Sequence, residues 1–146
     1  QQADMIIIGP GSLYTSILPN LLVPKIGEEV LKSKAKKVYI CNVMTQAGET
    51  LNFTASDHVQ ALYDHMGVNF IDTVLVNNGE IPENIKEKYA KELAKPVVYD
   101  TERLSALGLA IIHDKIISYD NGVIRHDTTK VANLLYDLLI KNKKGD

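Results

Sequence analysis

Met5-Ile6-Ile7-Ile8-Gly9-Pro10-Gly11-Ser12 decides the fold: an unbroken apolar run that halts at glycine, proline, glycine and serine. A strand that is apolar at every position has both faces covered. That is the pattern of a parallel sheet held between helices, not of an antiparallel sheet with one wet face. The same run recurs downstream as Val38-Tyr39-Ile40-Cys41-Asn42-Val43 and as Thr73-Val74-Leu75-Val76. Pro96-Val97-Val98-Tyr99 reads as a fourth strand, with the proline tolerable at its first position.

Helical spacing fills the intervals. Val59, Leu62, Tyr63 and Met66 share one face of a helix that Thr54 or Ser56 can cap and Gly67 can end. Ile85, Tyr89 and Leu93 recur every four residues after Pro82, a residue suited to a first helical turn. Val131, Leu134, Leu135 and Leu138 make a last stripe, with Asp127 or Thr128 as cap. Lys141, Lys143 and Lys144 complement its negative end. Residues 116–124 read as a hairpin turning at Asp120-Asn121-Gly122. The expectation is one α/β domain over residues 1–146, three-layered and Rossmann-like. Its sheet is mostly parallel with helices on both faces, and a hairpin plus a helix follow it.

Composition narrows the function. With 45% apolar and 23% charged residues in a chain of 146, the sequence is globular and long enough for its own core. A net charge of −2 gives no electrostatic case for a nucleic-acid partner. The single cysteine, Cys41, excludes a disulfide framework and fits a reducing, cytoplasmic setting. No apolar run approaches the roughly 18 to 20 residues a membrane span needs, and Gln1-Gln2-Ala3-Asp4 does not read as a signal peptide. A homo-oligomer is compatible with the sequence, which carries no signal of subunit number.

Ligands of parallel sheets bind beyond the carboxyl ends of the strands, and three strand exits here are polar and glycine-rich. In the first, Gly9 and Gly11 let the backbone approach a ligand, Ser12, Thr15 and Ser16 add hydroxyls, and Tyr14 lies among them. An anion cradle at a helix start and a tight turn with Ser12 as a plain N-cap both fit. The second, within residues 42–58, offers Thr45, Gln46, Gly48, Glu49 and Thr50 to a sugar or ribose. Asp57 and His58 follow at a helix start, where Asp57 reads either as a dipole carboxylate or as a weak candidate ligand for Mg²⁺. The third is Asn77-Asn78-Gly79, whose amides can read a base edge or simply make a turn. Arg125 can fork onto a phosphate or form a surface ion pair. Tyr89 sits on an apolar stripe, where packing is the default and ligand contact the alternative. No nucleophile and base stand at a diagnostic spacing, so no catalytic residue is assigned.

Taken together, Gly9-Pro10-Gly11-Ser12-Leu13-Tyr14-Thr15-Ser16, Leu18-Pro19-Asn20-Leu21-Leu22-Val23, Asn42-Val43-Met44-Thr45-Gln46-Ala47-Gly48-Glu49-Thr50, Ser56-Asp57-His58-Val59, Val76-Asn77-Asn78-Gly79, Leu107-Gly108 and Ile124-Arg125-His126-Asp127 resemble the YvcK/CofD family. The resemblance runs nearly end to end and is to the C-terminal half of such proteins. It implies a gluconeogenesis-factor-like regulator that binds a UDP-sugar, tied to growth on gluconeogenic carbon sources, cell shape and cell-wall balance. Tyr89 and Arg125 match the family's ligand-contacting tyrosine and arginine. The enzymatic branch, 2-phospho-L-lactate transferases of deazaflavin-coenzyme synthesis, is the alternative. The glycine-rich first loop departs from that branch's pattern, which places transferase activity second.

Overall fold

A computed structural model describes residues 2–143. Four strands form the main sheet in the order β1 (Met5–Ile8), β2 (Lys36–Ile40), β3 (Thr73–Asn77) and β4 (Ala110–Asp114), every neighbouring pair parallel. Their carboxyl ends therefore share one edge, and the loops leaving β1, β2 and β3 open there, as the three apolar runs predict. After β1 the chain makes a π turn (Leu13–Ile17), α1 (Leu18–Leu21) and α2 (Pro24–Lys32); α3 (Ala55–Met66) follows β2. Between β3 and β4 come α4 (Glu83–Ala90) and α5 (Thr101–Ala106), and after β4 the hairpin β5 (Ile117–Asp120) and β6 (Val123–His126) and then α6 (Thr128–Lys143).

Alternation along the strands builds two cores. Ile8, Tyr39, Val74 and Val76 meet Val59, Leu62 and Tyr63 of α3, with Leu13, Leu18 and Leu104 behind them. On the opposite face Val38, Ile40 and Leu75 meet Ile116 and the α6 residues Val131 and Leu135. A third cluster of Val43, Ile81, Ile85 and Ile117, with Tyr89 and Ile124 packed against it, seats the hairpin on α4. The sheet is covered on both sides, which is why its strands carry apolar residues at consecutive positions.

The ends of α3 follow their sequence signals. Thr54 accepts from the Asp57 backbone N–H and Asp57 reaches back to the Thr54 N–H, a reciprocal capping box, and Gly67 closes the helix at φ +71°. The hairpin turns at Asn121 (φ +49°) and Gly122 (φ +70°), two positive values in succession that this turn requires. Asp127 Oδ1 accepts from the Lys130 N–H at 3.0 Å and so caps α6. Lys144 lies outside the described residues.

Two expectations are corrected. The fourth strand is Ala110–Asp114, and Pro96-Val97-Val98-Tyr99 does not join the main sheet. Pro96 lacks an N–H and makes only an isolated antiparallel bridge to Met44, while Val98 is 63% exposed, so this stretch runs over the strand ends as a connector. The stripe of Ile85 and Tyr89 does not extend to Leu93, because α4 stops at Ala90 and Leu93 takes φ +56° with 66% exposure. Among the described residues no helix is long and apolar enough to cross a membrane.

Candidate functional site

The β1 and β2 exits, α4 and β6 surround a cavity of about 770 Å³. Its wall includes Gly11 and Ser12 from the first loop, Asn42, Thr45 and Gln46 from the second, Tyr89 and Glu92 near α4, and Arg125 and His126 at the end of the hairpin. Four separate segments therefore converge at the carboxyl edge of the sheet, where ligands of parallel sheets bind.

Several interactions hold this wall. Thr45 is buried, its N–H donating to the Lys95 carbonyl at 2.8 Å and its Oγ1 accepting from the Lys95 N–H at 3.0 Å. The Gln46 N–H donates to Thr50 Oγ1 at 3.0 Å, folding the loop back on itself. Tyr89 Oη accepts from the Ile124 N–H at 3.0 Å, and Lys88 Nζ donates to the Gly122 carbonyl at 3.0 Å. Tyr119 donates from its hydroxyl to the Glu80 carbonyl at 2.9 Å, so the hairpin is pinned to α4 and its approach. Tyr89 thus both packs and tethers, and its hydroxyl proton stays available to a ligand.

Against this anchored background some polar groups are unspent. The exposed Arg125 guanidinium makes no ion pair or hydrogen bond to any described residue, so its salt-bridge reading is not realised. Ser12 does not cap the turn that follows it: its carbonyl accepts from the Ser16 and Ile17 N–H groups, and its hydroxyl has no partner among the described residues. Asn42 Oδ1 and Gln46 Oε1 are closed off from solvent with no partner among the described residues. Each such orphan costs about 1–3 kcal/mol.

His126 sits differently. Its Nε2 lies 3.3 Å from the Cys41 backbone carbonyl, an acceptor only, so Nε2 carries the proton. Burial pushes its pKa down, against the raising effect of that hydrogen bond, so the ring is neutral near pH 7 and Nδ1 presents a lone pair. Burial pushes the Cys41 thiol up to about 12, which leaves it protonated and unreactive.

The other candidates fall elsewhere. Gly9, at φ +84°, packs on β2, where a Cβ would come within 3.0 Å of the Ile40 carbonyl. Tyr14 lies edge-on to Phe53 and His65 at centroid distances of 6.5 and 6.0 Å, and Thr15 is exposed; neither is on the wall. Gly48 and Glu49 are also off it, although Glu49 Oε2 is buried without a partner among the described residues. Asn77 and Asn78 border a second cavity of about 320 Å³. Asn77 is used structurally there: Oδ1 accepts from Gly79 and Ile116 N–H groups and Nδ2 donates to the Gly79 carbonyl.

Asp57 belongs to the helix cap, not to the cavity. It accepts from Thr54 and pairs with Arg103 at 3.0 Å, while Asp100 accepts from Ser56 and Thr54 beside it. Burial pushes the Asp57 carboxyl up, but hydrogen bonds from Thr54 and Arg103 outweigh this and leave it below the usual carboxylate range. Among the described residues no three His, Cys, Asp or Glu side chains form a group that could hold a metal.

His58 is fully buried, its Nδ1 donating to the Thr54 carbonyl at 2.8 Å and its Nε2 without a partner among the described residues. Burial lowers its pKa, as it does for His126. The unfolded chain therefore binds more protons below about pH 6.5, and stability is full above that value. It erodes as pH falls from there toward the depressed folded-state pKa values. Urea denaturation at about pH 8 and pH 5.5 is expected to show the loss, with a flatter profile for His58→Gln. Equal stability at both values would contradict it.

Sequence reasoning missed Asn42, Glu92 and His126 as wall residues. Asn42 carried a usable signal, a polar residue interrupting an apolar strand at its exit. Glu92 carried none.

A family model described as "2-phospho-L-lactate transferase CofD" matches residues 1–117. The chain is 69% identical over 139 residues to the gluconeogenesis factor of Bacillus subtilis, covering 95% of this chain and 44% of that protein. It is 53% identical to the gluconeogenesis factor of Halalkalibacterium halodurans, covering 94% and 42%. A crystal structure of a UPF0052 family member from Bacillus halodurans superposes with a TM-score of 0.88 at 54% identity, over 91% of this chain and 43% of that one. The chain thus spans less than half the length of the curated relatives it matches.

Proposed function

The chain belongs to the CofD family, and from that premise we propose that it forms one side of a UDP-sugar-binding site in a gluconeogenesis-factor-like regulatory protein. One observation carries the reading: the Arg125 guanidinium, unpaired among the described residues, on the wall of a strand-end cavity rich in hydrogen-bonding groups. A guanidinium that no described acid neutralises is available for bidentate pairing with a phosphate. Ser12, Asn42, Gln46 and Tyr89 supply donors and acceptors that suit a nucleotide sugar. The proposed setting is the cytoplasm, with the ligand as partner and neither nucleic acid nor membrane engaged. We further propose that this chain corresponds to the C-terminal half of a longer protein and that the other half completes the pocket.

The family model's description keeps a second reading, transfer of a phosphorus-containing group. Calorimetry of the full-length protein against UDP-sugars and deazaflavins, with and without Mg²⁺, separates the two. Saturable, Mg²⁺-independent binding of a UDP-sugar without turnover supports the regulator; turnover of a phospholactyl donor supports the transferase. Asp57→Asn sharpens the contrast. Because Asp57 caps α3, the substitution is expected to cost about 0.3–1 kcal/mol of stability and leave UDP-sugar affinity intact. Loss of Mg²⁺-dependent turnover in that variant would reassign Asp57 to chemistry.

A further inference from the structure

We infer that His126 is a second ligand-reading group of this cavity: as an anionic ligand binds, its Nδ1 takes a proton from solvent and donates it in a hydrogen bond to a phosphate oxygen. The inference rests on the reading that the cavity receives a phosphate-bearing ligand. It starts from the geometry of the ring. Nε2–H is committed to the Cys41 carbonyl at 3.3 Å, which fixes the tautomer and the ring's anchoring, and Nδ1 has no partner among the described residues. The residue forms part of the cavity wall, next in sequence to Arg125.

A lone pair facing a phosphate is repulsive, whereas the imidazolium is attractive and forms a charge-assisted hydrogen bond. An opposite charge within about 4–6 Å favours the charged form strongly enough to move a histidine across neutral pH. The surroundings allow this. Ionisable neighbours are Arg125 on the same strand, Cys41 just after β2, Tyr89 and Glu92 around α4, and Asp127 next in sequence, while the Lys130 ammonium one turn on is paired with Asp114 at 2.8 Å. Cys41 stays neutral. His126 is neutral before binding because burial outweighs its one stabilising hydrogen bond, so the ligand's charge is what reverses the balance.

The sign of the pH dependence follows. The ligand-free pKa is depressed and the bound-state pKa is raised, so binding takes up a proton between the two. The gain in affinity is complete below the ligand-free pKa and is lost as pH rises through the bound-state pKa.

The test is calorimetry of the full-length protein with UDP-glucose, and with pyrophosphate as a nucleotide-free probe, in two buffers of different ionisation enthalpy. Wild type is expected to take up about one proton near pH 7, and affinity is expected to rise as pH falls from about 8.5 to 6. His126→Gln retains an amide donor for the Cys41 carbonyl. It is expected to bind about tenfold more weakly than wild type at about pH 6, to approach wild type at about pH 8.5, and to take up no proton. Binding without proton uptake in wild type, or affinity that falls on acidification as for a neutral acceptor reading a hydroxyl, overturns the role of His126 while the cavity's function stands. Failure of wild type to bind either probe overturns both.

Discussion

Arg125→Ala is expected to weaken UDP-glucose binding by about 1.5–3 kcal/mol, roughly 10- to 150-fold, in a protein that remains folded. The size follows from what the guanidinium is doing. It pairs with no described acid, so its removal leaves no charge orphaned among the described residues. It is also exposed before binding, so the effect sits below the cost of stripping a partner from a fully buried charge pair. Arg125→Lys keeps the charge but loses the fork and is expected to fall between wild type and alanine. Isothermal calorimetry gives the affinities, and a urea curve on each variant confirms the fold. Unchanged affinity in folded Arg125→Ala returns the residue to an ordinary surface position.

Leu62→Ala is expected to lower unfolding free energy by about 2–5 kcal/mol. Leu62 is fully buried on α3, within the cluster that joins that helix to Tyr39 and Val74 of the sheet and to Leu13 behind the first loop. The truncation removes apolar contacts and leaves a cavity between elements already fixed by the capping box at Thr54 and the Gly67 terminus. The surroundings then collapse little, which places the cost toward the upper part of the range. Chemical denaturation measures it. A loss below about 1 kcal/mol would mean that α3 repacks and that the described core is softer than its burial indicates.

The sheet was legible because burial on both faces writes itself into consecutive apolar residues, as at Met5-Ile6-Ile7-Ile8 and Thr73-Val74-Leu75-Val76. The edge strand was not. In Ala110–Asp114 only Ile111 and Ile112 are large and apolar, every residue is at least partly exposed, and the strand ends in His113 and Asp114. Pro96-Val97-Val98-Tyr99 has the stronger β composition and is a connector, because strand membership depends on backbone pairing that composition does not encode.

The candidate site divides in a similar way. Strand exits predicted Gly11, Ser12, Thr45 and Gln46 on the wall, and the family resemblance pointed to Tyr89 and Arg125. Tyr14, in the first of those loops, and Asn77, at the β3 exit, were turned instead to packing and turn-making. Which side of a loop faces the cavity is set by tertiary contacts such as the Tyr14–Phe53 edge and the Asn77–Ile116 hydrogen bond. His126 needed the Cys41 carbonyl, far away in sequence, before its tautomer could be read.

The central claim is that the cavity between the β1 and β2 exits and the hairpin holds the nucleotide sugar. Amide chemical-shift mapping of the full-length protein on addition of UDP-glucose tests it most directly. Shifts centred on Ser12, Asn42, Gln46, Tyr89 and Arg125, with Asp57 and Arg103 unmoved, are the predicted result. Saturable shifts centred instead on Asp57 or on Asn77 and Asn78, or none at all, would contradict it.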